Sequence, residues 1–292
     1  MTVHRELAWA KINLSLRLGP VRPSDGRHLL VTLFSSLRLA DALTIEAGGG
    51  RDEVVCDAVP GRNLVADALA GLRAAGWDAP AVRVMIDKRI PLAAGMGGGS
   101  ADAAAMLRAA HRLAPVPAGA VAAIAARLGA DVPAQLHPGA SLAVGAGEIA
   151  EPVVDLAAHG VVVVPQRFGL SSADVYREAD RLGLPGGDLH AARRELAAAL
   201  PGPLADRLVV NDLEAAALSL APEIARARGA VAQAGVDRAL VCGSGPTVIG
   251  VCWGSDGVER AARAAARLRA RFPGVVNAAP LARGVGEPSS KP

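Results

Sequence analysis

Aromatic side chains are nearly missing from this chain: three Phe, three Trp and one Tyr among 292 residues. A core built without them must close by packing small side chains, and the hydrophobic residues, 51% of the chain and rich in alanine, are there to do it. The scarcity also singles out Tyr176, the lone tyrosine. Cysteine is scarce too. Cys56, Cys242 and Cys252 are odd in number and lack metal-ligand spacing. That argues against a disulfide framework or a zinc site and suits buried thiols in a reduced, cytoplasmic chain. No apolar run of about 18 residues escapes interruption by Gly, Pro or polar groups, so no membrane span is expected. The opening Met1-Thr-Val-His-Arg-Glu lacks the order of a secretory signal. Nor is there an excess of one charge: the formal net charge is +3, and the arginines are scattered along helical stretches without interleaved aromatics. They read as solvated helix faces, so nucleic acid is not an expected partner.

Glycine, by contrast, is concentrated in one stretch: Pro91-Leu92-Ala93-Ala94-Gly95-Met96-Gly97-Gly98-Gly99-Ser100-Ala101. An alternating apolar segment (Val82, Val84, Ile86) reads as a strand before it, and Asp102-Ala-Ala-Ala-Met-Leu-Arg reads as a helix after it. Glycines strip side chains from a turn, so backbone N–H groups can approach a bulky anion. The helix brings its positive end to the same place. The stretch therefore reads as a phosphate cradle for a nucleotide. It is not a Walker A loop, because no Gly-Lys pair precedes the helix. It is not a dinucleotide fingerprint either, because the spacing misses and no acid follows about 20 residues on. The plain alternative is a glycine turn with no ligand, although this many small residues exceed what a connection needs.

The length allows two domains. We place them at residues 1–155 and 156–283, with a disordered tail over 284–292. Strands are predicted over 7–18, 29–37, 42–46, 81–87, 141–144 and 161–164. In the first, Ile12, Leu14 and Leu16 share a buried face, and Lys11, Asn13, Ser15 and Arg17 share the other. Helices are predicted over 63–75, with Asn63 as N-cap and Gly76 as stop, and over 100–112 and 118–128. The second half reads as helices over 172–182, 189–200, 204–220 and 222–234. A hairpin around Gly243-Ser244-Gly245-Pro246, a helix over 258–271 and a strand over 275–278 complete it. Strand clusters separated by helices in mixed order indicate an α+β class, not a doubly wound sheet.

Polar residues interrupt the apolar background at four points: Lys11 and Asn13 in mid-strand, His28 after a turn-rich loop, Asp131 in Leu-Gly-Ala-Asp-Val-Pro, and Ser244 between two glycines. Each has a plain reading. Lys11 could be the solvent face of an edge strand, Asp131 an N-cap, His28 a loop residue, and residues 243–246 a hairpin turn. Taken together they supply what a kinase without a Walker lysine needs. That is a phosphate cradle, a carboxylate for the acceptor hydroxyl, and a cation to offset charge in a loose phosphoryl transition state. Lys11 and Asp131 are the candidate catalytic pair.

At these residues the chain resembles a known family. Ala10-Lys11-Ile12-Asn13-Leu14, the stretch from Pro91 to Ala101, and Cys242-Gly-Ser-Gly-Pro-Thr247 are similar to the three motifs of the GHMP kinases. Asp25-Gly-Arg-His28, Asn63-Leu, Asp87-Lys-Arg-Ile-Pro91, Gly129-Ala-Asp-Val-Pro133, Gly145-Ala-Gly-Glu148 and Gly169-Leu-Ser-Ser-Ala-Asp-Val-Tyr176 resemble the 4-diphosphocytidyl-2-C-methyl-D-erythritol kinase family in its actinobacterial style. The likeness runs in register over about residues 7–280.

The resemblance implies an N-terminal domain like the second domain of ribosomal protein S5 and a ferredoxin-like C-terminal domain, with the site between them. It implies transfer of phosphate from ATP, with Mg2+, to the tertiary C2 hydroxyl of a cytidine-diphosphate-linked methylerythritol, on the non-mevalonate route to isoprenoids. The partner is then a small molecule, and the assembly a monomer or homodimer. By position, Asp131 is the catalytic carboxylate and Lys11 its partner. Residues 91–101 hold the phosphates, and Asn63 and Lys88 lie near the adenine. His28 bonds the cytosine and Tyr176 stacks on it, with Asn13, Gly243 and Ser244 also on the substrate. Ser100 is a candidate contact for magnesium or a β-phosphate oxygen, and no residue is assigned as a direct metal ligand. Two positions depart from the family pattern. Arg27 stands where a tyrosine forms the other wall of the cytosine site; a guanidinium plane can also stack on a base. Ala93-Ala94 replaces common glycines, which stiffens the loop. A related kinase for another alcohol, or a nucleotide-binding protein without catalysis, are the competing readings.

Overall fold

The computed structural model describes residues 2–282, so the tail predicted over 284–292 lies outside them. Two 20-residue strands, β1 (Thr2–Val21) and β2 (His28–Ala47), run antiparallel as one hairpin. The second arm is continuous and not two strands. The expected break coincides with a register shift, where Trp9 faces Ala40 but Lys11 already faces Ser36. A second shift lies between Asn13 and Ser15. Such bulges turn a strand and re-aim its side chains. This corrects the simple alternation: Lys11, Asn13 and Ser15 are only 7%, 3% and 0% exposed. The second half of the chain closes over that face, where Leu16 bridges to Asn211 and Asn13 lies against Gly243.

The first sheet is completed by β3 (Glu53–Val55), β4 (Val82–Asp87), β5 (Ala140–Val144) and β6 (Ile149–Pro152), in the order β3-β4-β2-β5-β6 with β1 along β2. β3 and β6, at three and four residues, are too short to show a period in sequence. Helices α1 (Leu64–Ala74), α2 (Gly98–Leu113), α3 (Ala120–Leu128) and the single turn α4 (Val132–Gln135) pack together with this sheet. The side chain of Asn63 accepts from the Val65 N–H at 2.9 Å, so it does cap α1. The buried side of α2 is largely alanine (Ala101, Ala103, Ala104, Ala105, Ala109, Ala110), which lets the helix lie close to β1. Small side chains close this core in place of aromatics.

The second sheet has the order β10 (Val276–Ala278), β7 (His159–Val164), β9 (Val248–Trp253), β8 (Arg238–Val241), antiparallel throughout. Helices α5 (Ser172–Arg181), α7 (Glu214–Leu220), α8 (Ile224–Ala232) and α9 (Gly257–Leu268) accompany it, whereas α6 (Leu189–Ala199) packs on β1 and β2. The helix predicted over 204–220 begins only at Glu214. The apolar residues ahead of it are buried for another reason. Leu204, Leu208 and Val209 join the core of the first half, and the Leu16 N–H donates to Val210 O at 2.8 Å. The Asn211 amide then donates to the carbonyls of Val241 and Gly243 at 2.8 and 2.7 Å. This segment stitches the two sheets together and is not a helix. Among the described residues, no helix is long and apolar enough to cross a membrane.

Candidate active site

The glycine stretch leaves β4 and enters α2 through two left-handed residues, Gly95 (φ 69°) and Gly97 (φ 68°). Gly95 lies backbone to backbone on the turn between β8 and β9: a Cβ there would stand 2.7 Å from Cys242 O and 3.2 Å from Gly245 O. Gly97 is the N-cap of α2, and a Cβ on it would press on the Lys11 side chain, 3.0 Å from Cγ. The helix starts with no capping side chain and no acid in its first turn. Its leading N–H groups have no partner inside the helix, so they and the dipole are available to an anion. Ala93 is also left-handed (φ 50°). Beyond stiffening the loop, alanine there costs about 1–2 kcal/mol. Its methyl occupies the space beside Gly169, where an added Cβ would meet it at 2.9 Å.

β1 carries Lys11 to the foot of this loop. Its N–H donates to Met96 O at 3.0 Å, fastening loop to strand. Its ammonium donates to Asn13 Oδ1 at 2.9 Å, pairs with Asp131 Oδ2 at 3.2 Å and lies 5.1 Å from the centre of the Phe34 ring. Asn13 Nδ2 donates to Thr32 Oγ1 at 2.7 Å, and that hydroxyl donates to Ser15 O at 2.7 Å. The ammonium is thus held by a chain of buried bonds. Asp131 precedes α4 but makes no capping bond, so its carboxylate serves Lys11 and the cleft, not the helix. The solvent-face reading of Lys11 and the cap reading of Asp131 both fall.

Lys11 and Asp131 open onto a cleft of ≈ 700 Å³ between the two sheets, which also includes Asn13, Arg27, His28, Gly95, Gly97, Ser100, Tyr176, Gly243 and Ser244. Of the remaining loop positions, Ala94, Met96 and Ala101 turn their side chains into the core, so only their main chain is free to meet a ligand. At the far end His28 and Tyr176 stack with ring centres 5.4 Å apart and planes 20° apart. Burial, with the Asp131 charge adding and Arg27 opposing, pushes the Tyr176 phenol up to about 12, so it remains a donor. Arg27 lies on the cleft wall, and its guanidinium donates to Ala146 O at 3.5 Å. Its loop is pinned by Arg22, which bonds both Asp25 and Glu148 at 2.5 Å. Hydrogen bonds from Arg22 hold the Asp25 carboxyl down to about 2.

The cleft also contains residues that the sequence did not single out: Thr32, Phe34, Ser172, Arg177 and Asp180. Ser172 Oγ lies 2.8 Å from Ser244 Oγ, bridging the start of α5 to the β8–β9 turn. Periodicity carries no trace of such partners, since they come from two elements far apart in the chain, β2 and α5.

Asn63 and Lys88 stand apart from this cleft. An added Cβ on Gly99 would face Leu64, and one on Gly98 would face Lys88 Nζ at 3.2 Å. Both residues therefore lie on other flanks of the glycine turn. The Lys88 ammonium is buried between Asp41 and Asp102, bonding both. Burial pushes the Asp102 carboxyl up to about 7, against the pull of Lys88. Burial also opposes the Lys88 charge, but Asp102 and Asp41 outweigh it and raise that group. Asp41 has further donors in the N–H groups of Arg89 and Ile90, whereas Asp102 Oδ1 has none, so Asp102 is the member that takes a proton. A carboxyl raised on folding stabilises the fold below its ordinary value and loses that contribution as pH climbs to about 7. Asp102→Asn keeps the shape and removes the charge. Its thermal midpoint relative to the parent is expected to be about 2–4 °C higher near pH 8 than near pH 5. A pH-independent difference would contradict the assignment.

The GHMP kinases N terminal domain matches residues 63–139, and the GHMP kinases C terminal domain matches residues 190–271. The 4-diphosphocytidyl-2-C-methyl-D-erythritol kinase of Nocardia farcinica is 42% identical over 263 residues, 85% of this chain and 84% of that one. Its counterpart in Mycobacterium tuberculosis is 40% identical over 262 residues, 83% of this chain and 80% of that one. The crystal structure of a 4-(cytidine 5'-diphospho)-2C-methyl-D-erythritol kinase aligns with a TM-score of 0.77 and 34% identity, covering 95% of this chain and 99% of the other. L. major mevalonate kinase, solved with R-mevalonate, shares the fold at a TM-score of 0.67 with 14% identity, covering 97% of each chain. The two sheets with their helices are the two-domain GHMP kinase fold. With a relative 42% identical across most of its length, the chain belongs to the GHMP kinases and, among them, to the 4-diphosphocytidyl-2-C-methyl-D-erythritol kinase family.

Proposed function

We propose that this chain is an ATP-dependent kinase that phosphorylates the C2 hydroxyl of 4-(cytidine 5'-diphospho)-2-C-methyl-D-erythritol, a step towards isoprenoid precursors. The observation that carries the reading is the Lys11–Asp131 pair, 3.2 Å apart, at the mouth of the glycine turn and in one cleft with His28 and Tyr176. The main-chain amides of residues 95–100 and the uncapped start of α2 bind the triphosphate. Asp131 accepts the proton of the acceptor hydroxyl as its oxygen bonds to the γ-phosphorus and ADP leaves. Lys11 holds that carboxylate in place and offsets charge on the transferred group. A tertiary alcohol is a poor nucleophile, so the clamp on its cytidine end, in a cleft of ≈ 700 Å³, contributes through placement.

A triphosphate carries Mg2+ with it, and such an ion needs only one or two protein oxygens. Among the described residues no cluster of three His, Cys, Asp or Glu side chains could hold a metal. The Ser100 hydroxyl and the Asp131 carboxylate are hard oxygen donors in the cleft, which fits a metal held mainly by phosphates. The ion would neutralise phosphate charge there.

The test is ADP release by the purified chain with ATP and the cytidine substrate, set beside mevalonate and homoserine as acceptors. Turnover on the cytidine compound, at least about 100-fold above the others in kcat/KM, is expected, since a site built to bond a base rejects ligands that lack it. ATP binding without ADP release for any alcohol would overturn the reading.

A further inference from the structure

We propose that Asp180 is a positioning residue for the base end of the cleft, acting through His28. The proposal rests on the substrate reading above and goes beyond it. His28 begins β2 and is 7% exposed. Its Nδ1 lies 3.1 Å from Gly19 O on β1, and its Nε2 lies 3.2 Å from Asp180 Oδ1 and 3.3 Å from Oδ2. Asp180 comes from α5, 152 residues along the chain and on the other side of the cleft.

Two features make this more than a surface pair. Tyr176 and Asp180 are four apart on α5, so they share one helix face. That face meets the His28 ring twice: the phenol stacks on its plane, and the carboxylate takes its edge. The ring is therefore fixed in both orientation and tilt. In addition, both ring nitrogens face acceptors, a carbonyl and a carboxylate. Whichever nitrogen carries the N–H, an acceptor stands opposite it, and the Asp180 carboxylate fixes the edge of the ring that faces α5. With both nitrogens engaged, His28 offers the base its ring position and its main chain, not a free side-chain donor. Asp180 also lines the cleft, with its side chain half exposed, so the link forms where ligand enters.

The consequence is a split in kinetics. Asp180→Ala is expected to raise KM for the cytidine substrate about fivefold, with kcat at saturation and KM for ATP unchanged within about twofold. That size suits a charge-assisted bond with one half-exposed partner. Asp180→Asn keeps an acceptor oxygen without the charge and should fall between Ala and the parent. An unchanged KM for the cytidine substrate in Asp180→Ala, or a parallel rise in KM for ATP, would overturn the proposal. The second measurement follows the ring nitrogens of His28 by 15N-histidine NMR in the parent, Asp180→Ala and Asp180→Asn. Signals of His28 that shift in the Ala variant and partly return in the Asn variant support it. Unchanged His28 signals refute it. If the parent turns over no cytidine substrate, the substrate reading fails by itself, and the NMR result still decides the role of Asp180.

Discussion

Asp131→Asn is expected to lower kcat about 10²–10⁴-fold while leaving ATP binding close to that of the parent. The two outcomes separate because different atoms carry them. In the proposed mechanism, nucleotide affinity comes from main-chain amides of residues 95–100 and the uncapped start of α2, none of which needs the carboxylate. In the same proposed mechanism, proton acceptance falls to a side chain that makes no cap bond and pairs with Lys11. Asparagine keeps the size of that side chain and an oxygen for the ammonium, so the cleft keeps its shape. It cannot take the hydroxyl proton. Lys11 is not left unpaired, because Asn13 Oδ1 holds it at 2.9 Å and the Phe34 ring lies beneath it. Single-turnover kinetics and calorimetric ATP titration on the same preparation check both halves. If Asp131→Asn keeps kcat within about tenfold of the parent, proximity alone drives the transfer, and the role of Asp131 is that of a counter-ion to Lys11.

The sequence showed which residues were chemically out of place more readily than it showed why they are tolerated. Lys11, Asn13, His28 and Asp131 were visible as polar interruptions of apolar segments, and the structure brings them into one cleft. The α+β class was equally legible, because helix and strand periods differ and the long elements display them well. What could not be read was whatever depends on a partner far along the chain. The alternation of residues 7–18 assigns Lys11 and Asn13 to solvent, since nothing local reveals the register shifts or the segment that covers them. The stretch 204–213 has the apolar spacing of a helix, yet it is apolar because it lies between two sheets. Asp41 falls between the strands predicted over 29–37 and 42–46 and is fully buried with Lys88, a pairing across 47 residues. Asp180 carries no signal of its own within the helix predicted over 172–182, yet it meets a histidine 152 residues away. The motifs were legible because chemistry restricts residue type at those positions. The cross-chain supports were not, because many residue types can serve them and only the fold selects which.

Gly95→Ala is expected to damage fold and nucleotide affinity together, with a loss of stability of about 2–5 kcal/mol. Two costs add. An L-residue at φ 69° costs about 1–2 kcal/mol in backbone strain. The new methyl then meets backbone and not a yielding side chain: Cys242 O at 2.7 Å and Gly245 O at 3.2 Å. Overpacking of that kind costs a further 1–3 kcal/mol, roughly, as the segments part. Parting them has a functional consequence, because the loop is tied to β1 by the Lys11 N–H on Met96 O, one residue further on. A displaced loop therefore drags the strand that holds the Lys11–Asp131 pair, and KM for ATP should rise at least about tenfold. Gly61→Ala separates the two costs. Gly61 is also left-handed, at φ 97°, but an added Cβ there meets nothing within 4 Å. That variant should lose only about 1–2 kcal/mol by denaturant unfolding and keep its KM for ATP. Equal losses in the two variants would mean that the backbone conformation alone accounts for glycine at 95. A larger loss in Gly95→Ala, with a rise in KM for ATP confined to it, is the result required if the glycine turn must lie flat on the β8–β9 turn for the phosphate cradle to exist.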